Sequence, residues 1–92
     1  MLRLLKVVME RDFQPCGLEK PLKAIIYDLA SKAAEENWTG FKIVVGGVLK
    51  AVEQARSLAE RYNKDFCLYL DMAIKRGWIE NWVLRFRGSM TQ

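Results

Sequence analysis

Hydrophobic residues recur at helical spacing along most of this chain. The clearest run follows Pro21 and consists of Leu22, Ile25, Ile26, Leu29, Ala30 and Ala33. Steps of three and four residues place such side chains on one face of an α-helix. Pro21 suits the first turn of that helix, where its missing N–H costs nothing, and Asn37 suits the C-terminal cap. The pattern predicts an amphipathic helix that ends just before "NWTG".

The longest periodic segment passes through two adjacent glycines, Gly46 and Gly47. From Phe41 to Tyr62 the apolar positions keep helical spacing without a change of phase at the glycines. One continuous helix is therefore predicted, although each glycine costs about 1 kcal/mol relative to alanine. A ridge of small side chains spaced four apart lets another helix approach closely and offsets that cost; it is formed by Gly47, Ala51, Ala55 and Ala59. Gly46 is predicted to lie towards the polar side.

Three further segments are read as helices. Leu2 to about Asp12 carries a polar stripe, and "QPCG" breaks the chain after it. A fourth helix follows "YNKD", with Asn63 or Asp65 as its N-cap and Gly77 at its end. The stretch "WIENWVLRF" places large apolar residues at helical spacing, and "GSMTQ" is typical of a frayed tail.

These elements predict an all-α fold, a compact bundle of four to five helices. Residues 1–87 form one helical domain, and residues 88–92 form a flexible C-terminal tail. The predicted core consists of Leu5, Val8, Leu22, Ile25, Ile26, Leu29, Val45, Val48, Leu49, Val52, Phe66, Leu70 and Ile74. The alternative is a small α/β fold with strands near residues 4–8, 42–45 and 82–86, because these short runs also alternate and are rich in β-branched or aromatic residues.

The net charge of +4 is concentrated near the ends of the 92-residue chain. Residues 1–24 balance at +2 and residues 75–92 at +3, whereas the middle is close to neutral. Basic patches meet nucleic acid, acidic protein or anionic membrane surfaces. No apolar run approaches the roughly 18 residues that a membrane-spanning helix needs, so no membrane span is expected.

The residue content argues against catalysis and against a bound metal. The chain has no histidine, which excludes Ser-His and Cys-His nucleophile pairs and the usual imidazole metal sites. The glycine pair lacks the further residues of a phosphate loop or a dinucleotide fingerprint. The chain is therefore predicted to be no enzyme, with no metal and no cofactor. Cys16 and Cys67 lack metal-site spacing and are read as reduced thiols of a cytoplasmic protein.

The most informative constellation is "IKRGWIENWVLRFRG", in which cations alternate with aromatic residues. The predicted nucleic-acid-binding residues are Lys75, Arg76, Trp78, Arg85 and Arg87. Cations neutralise phosphates, and aromatic rings stack on unpaired bases; Trp82 and Phe86 are read as core. No motif for sequence-specific reading accompanies them. We therefore expect a non-catalytic module that contacts a nucleic-acid backbone as a small accessory subunit of a larger assembly, such as a ribonucleoprotein.

A protein-interaction module is the alternative function. About half of the residues are hydrophobic, which is rich for a small chain and suggests a surface covered by a partner. Such a module would form a homo-oligomer or regulate or inhibit a larger machine, and the ridge from Gly47 to Ala59 would then be an interface. An acidic protein surface would meet the basic ends of the chain in this case.

Overall fold

The computed structural model describes residues 2–38 and 40–91, and the burial of side chains within 3–38 and 40–88. Within these residues there are five α-helices and one π-helical turn, and no strand. The elements are α1 (Leu2–Val8), the π-turn (Met9–Phe13), α2 (Glu19–Glu35), α3 (Gly40–Tyr62), α4 (Phe66–Lys75) and α5 (Trp78–Thr91). The predicted all-α bundle is confirmed, and the α/β alternative is wrong because all three proposed strands lie in helices.

Capping hydrogen bonds and residues with positive φ mark the ends of the helices. Asn37 follows α2 with φ 58°, and Trp38 N–H donates to the Ala33 carbonyl at 2.9 Å, as in a left-handed C-terminal cap. Asn63 repeats this backbone conformation after α3 with φ 52°. Asp65, rather than Asn63, caps α4, because its carboxylate accepts from Cys67 N–H at 3.0 Å. Gly77 turns the chain between α4 and α5 with φ 72°.

The N-terminal helix changes its geometry after Val8. The sequence predicts one helix to about Asp12, whereas residues Met9–Phe13 form a π-helical turn closed by a 2.7 Å hydrogen bond from Gln14 N–H to the Met9 carbonyl. The wider turn shifts the register by about one residue. As a result Phe13, which the helical pattern leaves out of the core, is completely buried.

One hydrophobic cluster joins the helices. Nine of the predicted core residues are buried: Leu5, Val8, Leu22, Ile26, Leu29, Val45, Val48, Val52 and Leu70. The other four pack against this cluster while partly exposed: Ile25, Leu49, Phe66 and Ile74. Large buried residues that the prediction omits are Phe13, Ile43, Val44, Tyr69, Ile79 and Val83. The last two belong to α5, so α5 is a core helix.

The close contact between α3 and α5 explains the glycine pair. A Cβ placed on Gly47 would lie 2.6 Å from Val83 Cγ2 and 3.1 Å from the Ile79 carbonyl oxygen. Ala51 and Ala55 are fully buried further along α3, and Ala59 is partly buried. Gly46 is half-buried rather than solvent-facing, since its Cβ would lie 3.1 Å from the Phe86 ring. Only residues without bulk allow α5 to approach at this level.

A buried carboxylate ties the π-turn to α3. The side chain of Asp12 is 5% exposed. Its Oδ1 accepts from Arg56 Nη2 at 3.1 Å, and its Oδ2 accepts from Arg11 Nη2 at 2.9 Å. The Arg56 guanidinium also lies 5.3 Å from the centre of the Phe66 ring. Because both oxygens have charged donors, the burial of this carboxylate is compensated.

The two cysteines form a disulfide, which corrects the prediction of reduced thiols. Cys16, in the turn after the π-turn, is joined to Cys67 in the first turn of α4, with the Cα atoms 5.4 Å apart. The two residues are 51 positions apart in the chain, and no sequence feature pairs them.

The C-terminal end of the chain is also more regular than expected. The sequence places a flexible tail at residues 88–92, whereas α5 continues to Thr91. Gln92 lies outside the described residues. A glycine and a serine lower helix propensity by only about 1 kcal/mol or less each, so a helix already anchored by Ile79 and Val83 extends through them. No helix in the described ranges is long and apolar enough to cross a membrane.

Candidate nucleic-acid interface

The predicted contact residues lie at the end of α4 and along α5. Lys75 is the last residue of α4, and its Nζ lies 3.1 Å from Asp71 Oδ2, one helical turn earlier. Arg76 follows as the C-cap, with an exposed side chain that forms no ion pair with any residue the structure describes. Lys75 is therefore partly neutralised by its neighbour, and Arg76 keeps its full charge.

One side of α5 carries a stripe of aromatic and cationic residues. Trp78, Trp82 and Arg85 follow at steps of four and three residues, which places them on the same face of the helix. The Arg85 guanidinium lies 4.8 Å from the centre of the Trp82 ring. The indole N–H of Trp82 donates to Gln54 Oε1 on α3 at 2.9 Å. Gln54 thus fixes the indole, and the indole in turn positions the Arg85 charge.

Arg87 belongs to a different cluster. Its guanidinium lies 4.7 Å from the centre of the Trp38 ring and forms an ion pair with Glu36. Trp38 Nε1 donates to the same Glu36 oxygen at 3.0 Å. These contacts join α5 to the end of α2 and the turn after it. Since a carboxylate already neutralises Arg87, its role here is to hold two elements together.

Arg85 and Arg87 lie on opposite flanks of the buried face of α5. Two residues along a helix differ by about 200° around its axis, and the buried residues Ile79 and Val83 lie between the two flanks. Trp82 marks one flank and Trp38 marks the other. Both Arg85 and Arg87 were predicted from the sequence to bind nucleic acid. The structure separates Arg87 from Arg85, because residues two apart on a helix lie on different sides of its axis.

The flank with Arg87 is electrostatically balanced. Lys32 and Asp28 on α2 form an ion pair of 3.1 Å. The hydrogen bond to Asp28 raises the pKa of Lys32, the charge of Asp28 adds to this, and Glu80 on α5 contributes a smaller part. Glu80 therefore faces α2. It lies seven residues before Arg87, on the same flank of α5. The unneutralised positive charge of α5 is on the side of Arg85.

Sequence reasoning found the cations but not their partners. Trp38, Glu36 and Gln54 define the surroundings of Arg87 and Trp82, and none was predicted to take part. Arg87 and Glu36 are far apart in the chain, so no local spacing reports their contact. The alternation of cations with aromatic residues in "WIENWVLRFRG" was the available signal, and it indicates cation–π contacts without naming the ring that each cation meets.

The arrangement offers donors and ring faces rather than ligands for a metal. No group of three or more His, Cys, Asp or Glu residues is positioned to hold a metal ion within the described part of the chain. Comparison of the chain with protein-family models, with curated proteins and with solved structures finds no match. The fold therefore defines the class, a small all-α bundle.

Proposed function

We propose that the protein is a non-catalytic helical binding module that contacts a nucleic-acid backbone as a small accessory subunit of a larger assembly. The observation that supports this most is the position of Arg85. Its guanidinium lies 4.8 Å from the centre of the Trp82 ring and forms no ion pair with any described residue. A cation held by a ring keeps its charge and its N–H donors for an anion.

The proposed contact surface consists of Arg76, Trp78 and Arg85. Trp82, predicted from the sequence to be core, packs partly buried against the core and lies beside Arg85. Arg76 and Arg85 would contact phosphates, because both are exposed and carry unneutralised charge. Trp78 lies between them on the chain and is partly exposed, so that part of its ring is available to an unpaired base. From Trp78 to Arg85 the helix axis rises about 10 Å, or roughly three nucleotide steps of one strand.

Lys75 and Arg87 are less suited to binding phosphates. Lys75 would add charge to the surface while paired with Asp71, and a phosphate would have to compete with that carboxylate. Arg87 would need to leave both Glu36 and Trp38 before it could bind a phosphate. The absence of histidine from the sequence supports a binding module over an enzyme. No metal or cofactor is needed for this function.

A location in the cytoplasm stays a prediction from the sequence. It rested on reduced thiols, and Cys16 and Cys67 are joined in a disulfide. Disulfides persist mainly in oxidising compartments. The proposed contact between cations and phosphates does not depend on which compartment applies.

The second candidate function is a protein-interaction module. It is favoured by large apolar side chains that are 44–75% exposed: Leu4, Val7, Tyr27, Phe41, Tyr62, Leu68 and Leu84. The ridge does not support an external interface, because α5 packs against Gly47, and Ala51 and Ala55 are fully buried. A partner protein would therefore bind elsewhere on the surface. The partner would be a second copy of the chain, or a larger machine that this protein regulates or inhibits.

Binding to labelled mixed-sequence oligonucleotides tests the nucleic-acid proposal. Fluorescence anisotropy should be recorded at several salt concentrations with single-stranded RNA, single-stranded DNA and duplex DNA. We expect log affinity to fall linearly with log salt, with each lost phosphate contact lowering the slope by about 0.7–0.9. The double variant Arg76→Gln/Arg85→Gln should weaken binding to all sequences alike and flatten the slope by about 1.4–1.8.

A matched control removes two charges from another surface. Lys6→Gln/Lys20→Gln changes exposed cations on α1 and α2 and should leave most of the slope intact. Both double variants should retain the parent's far-UV circular dichroism, since the altered side chains are exposed. The proposed surface is wrong if the parent shows no salt-sensitive binding. It is also wrong if the control variant weakens binding as much as Arg76→Gln/Arg85→Gln does. In either case the protein-interaction function takes precedence.

A further inference from the structure

The three tryptophans of the chain differ in what their rings contact. Trp38 has a guanidinium 4.7 Å from its ring centre and donates its indole N–H to a carboxylate at 3.0 Å. Trp82 has a guanidinium at 4.8 Å and donates its indole N–H to an amide oxygen at 2.9 Å. Trp78 makes neither contact with any residue that the structure describes. No cation covers its ring, and its indole N–H is left for water or a ligand.

The core nevertheless holds Trp78 in place. Trp78 is the first residue of α5 and is partly buried against the hydrophobic cluster. The next residue, Ile79, is completely buried, which fixes the start of the helix. A ring that is already positioned in the free protein loses little rotational freedom when a ligand stacks on it. The exposed part of Trp78 is therefore a preorganised stacking surface.

Hydrogen-bond donors and acceptors accompany Trp78 on the same face of α5. Asn81 and Arg85 follow at steps of three and four residues, and both are exposed. The side-chain amide of Asn81 forms no hydrogen bond within the described ranges. An amide offers two donors and one acceptor oxygen, which match the edge of a nucleobase. That edge is available when the base is unpaired.

The two flanks of α5 differ in charge. The charged side chains linked to the Arg87 flank by ion pairs or by electrostatic contact are Lys32, Arg87, Asp28, Glu36 and Glu80. This flank thus has one carboxylate more than it has cations, whereas Arg85 on the other flank is unneutralised. A helix in the major groove of a duplex has the phosphates of both strands beside it. One of these strands would meet the carboxylates, and a single strand along the Arg85 flank avoids them.

We propose that this face of α5 binds unpaired nucleotides in preference to a duplex, with one base stacked on Trp78. The inference rests on the proposed contact with nucleic acid and adds the class of strand. A duplex would reach Arg76 and Arg85 with the phosphates of one strand. It would leave Trp78 and Asn81 without partners, because its bases are paired and stacked on each other. Single-stranded RNA and single-stranded DNA share the required chemistry.

Four labelled probes of equal length test the class of strand. They are single-stranded RNA, single-stranded DNA, duplex DNA and an abasic DNA strand that keeps its phosphates. Fluorescence anisotropy should show that at least one of the two base-carrying single strands binds about tenfold tighter than the abasic strand, the effect of one stacked base. The same strand should also bind tighter than the duplex, although the duplex has twice the charge per unit length. Contact with phosphates alone predicts the opposite order. A difference between the RNA and DNA strands identifies the preferred sugar.

Substitutions of Trp78 locate the stacked base. Trp78→Leu keeps apolar bulk against the core and removes the ring. It should weaken binding of the preferred single strand about tenfold, leave binding of the abasic strand unchanged, and leave the salt slope unchanged because no charge is lost. Trp78→Phe should recover part of the affinity. Most of the quenching of tryptophan emission by the bound strand should disappear in Trp78→Leu.

Trp38→Leu is the matched control, because it removes another partly buried tryptophan that lies at the opposite flank of α5. It should leave binding and most of the quenching unchanged. Far-UV circular dichroism should confirm that each variant is folded. The comparison of the four probes uses the parent protein alone, so it holds even if a variant fails to fold.

The outcomes separate this inference from the proposed function. Salt-sensitive binding that is equal for the abasic strand and both base-carrying single strands would overturn the stacking inference and leave the contact with phosphates in place. Unchanged binding of the preferred single strand by folded Trp78→Leu would do the same. An absence of salt-sensitive binding to every probe would overturn the proposed function itself, and the inference with it.

Discussion

Some charged side chains in this protein join different elements of the fold, whereas others pair within one helix. Asp12 is the clearest example, because its carboxylate is almost fully buried and accepts from two arginines on different elements. Arg56 contributes twice, through this ion pair and through its contact with the Phe66 ring. Arg11 contributes only the bond to its sequence neighbour. The hydrogen bond to Asp12 raises the pKa of Arg11, and the negative charge of Asp12 raises it further.

Substitution of Asp12 should therefore destabilise the fold. Asp12→Asn keeps the shape but leaves two guanidinium groups without a charged acceptor, and we expect a loss of about 1–3 kcal/mol in the free energy of unfolding. The loss stays below that of a fully buried pair because Arg11 and Arg56 are half-exposed and regain water. Urea unfolding followed by circular dichroism measures it.

The two arginines provide an internal ranking. Arg56→Gln should cost more than Arg11→Gln, because only Arg56 links the π-turn to α3 and covers Phe66. A conservative Arg56→Lys should recover part of the loss through its charge. A parent-like midpoint for Asp12→Asn, or a larger effect of Arg11→Gln, would show that the buried carboxylate does not anchor the N-terminal segment.

At the level of helices, the α3–α5 contact depends on the two glycines to different degrees. Gly47→Ala would place a methyl group 2.6 Å from Val83 Cγ2 and 3.1 Å from backbone atoms of α5. Since backbone atoms cannot rotate away, α5 must shift, and we expect a cost of about 1–3 kcal/mol after overpacking. Gly46→Ala meets only the Phe86 ring at 3.1 Å, which can shift by a few tenths of an ångström.

Gly46→Ala and Gly47→Ala should differ clearly in stability. Gly46→Ala should be close to neutral, because a gain of about 1 kcal/mol in helix propensity offsets the displaced ring. Urea midpoints of Gly46→Ala, Gly47→Ala and the parent give the comparison, and far-UV circular dichroism confirms that helix content is kept. A larger loss from Gly46→Ala than from Gly47→Ala would contradict this packing.

The helices themselves were predictable from the sequence, and so was a close helix contact at Gly47, whereas the partner in each contact was not. The spacing of apolar residues from Leu22 to Ala33, and its continuity through Gly46 and Gly47, predicts α2 and α3 because helical periodicity is a local property. The π-turn is also local, but one added residue does not show in the spacing of apolar residues. The burial of Phe13 was therefore not predicted. The pairings of Cys16 with Cys67 and of Glu36 with Arg87 join distant positions. For the candidate site, the sequence therefore supplied Arg85 and not the ring that orients it.

Across the whole molecule, three residues of the short stretch after α1 attach it to the rest of the bundle. Phe13 is completely buried in the shared core, Asp12 bonds to Arg56 on α3, and Cys16 is bonded to Cys67 on α4. These contacts converge on the same short stretch after α1. A chain of this size buries only about 60–65% of its unfolded surface, so a covalent link contributes a large share of its stability.

Reduction should therefore lower the stability of the entire bundle. The Cys16–Cys67 bond spans 51 positions, and constraining a loop of that size in the unfolded chain contributes about 4 kcal/mol in the chain-entropy model. We expect urea unfolding in the presence of a phosphine reductant to show a midpoint well below that of the oxidised protein. Cys16→Ser/Cys67→Ser should unfold near the reduced parent and should not respond to the reductant.

Thiol titration in denaturant should find no free thiol in the oxidised protein and two after reduction. Equal midpoints for oxidised and reduced protein would mean that Phe13 and the Asp12–Arg56 pair suffice to hold the N-terminal segment, and that the bundle is equally suited to a reducing compartment.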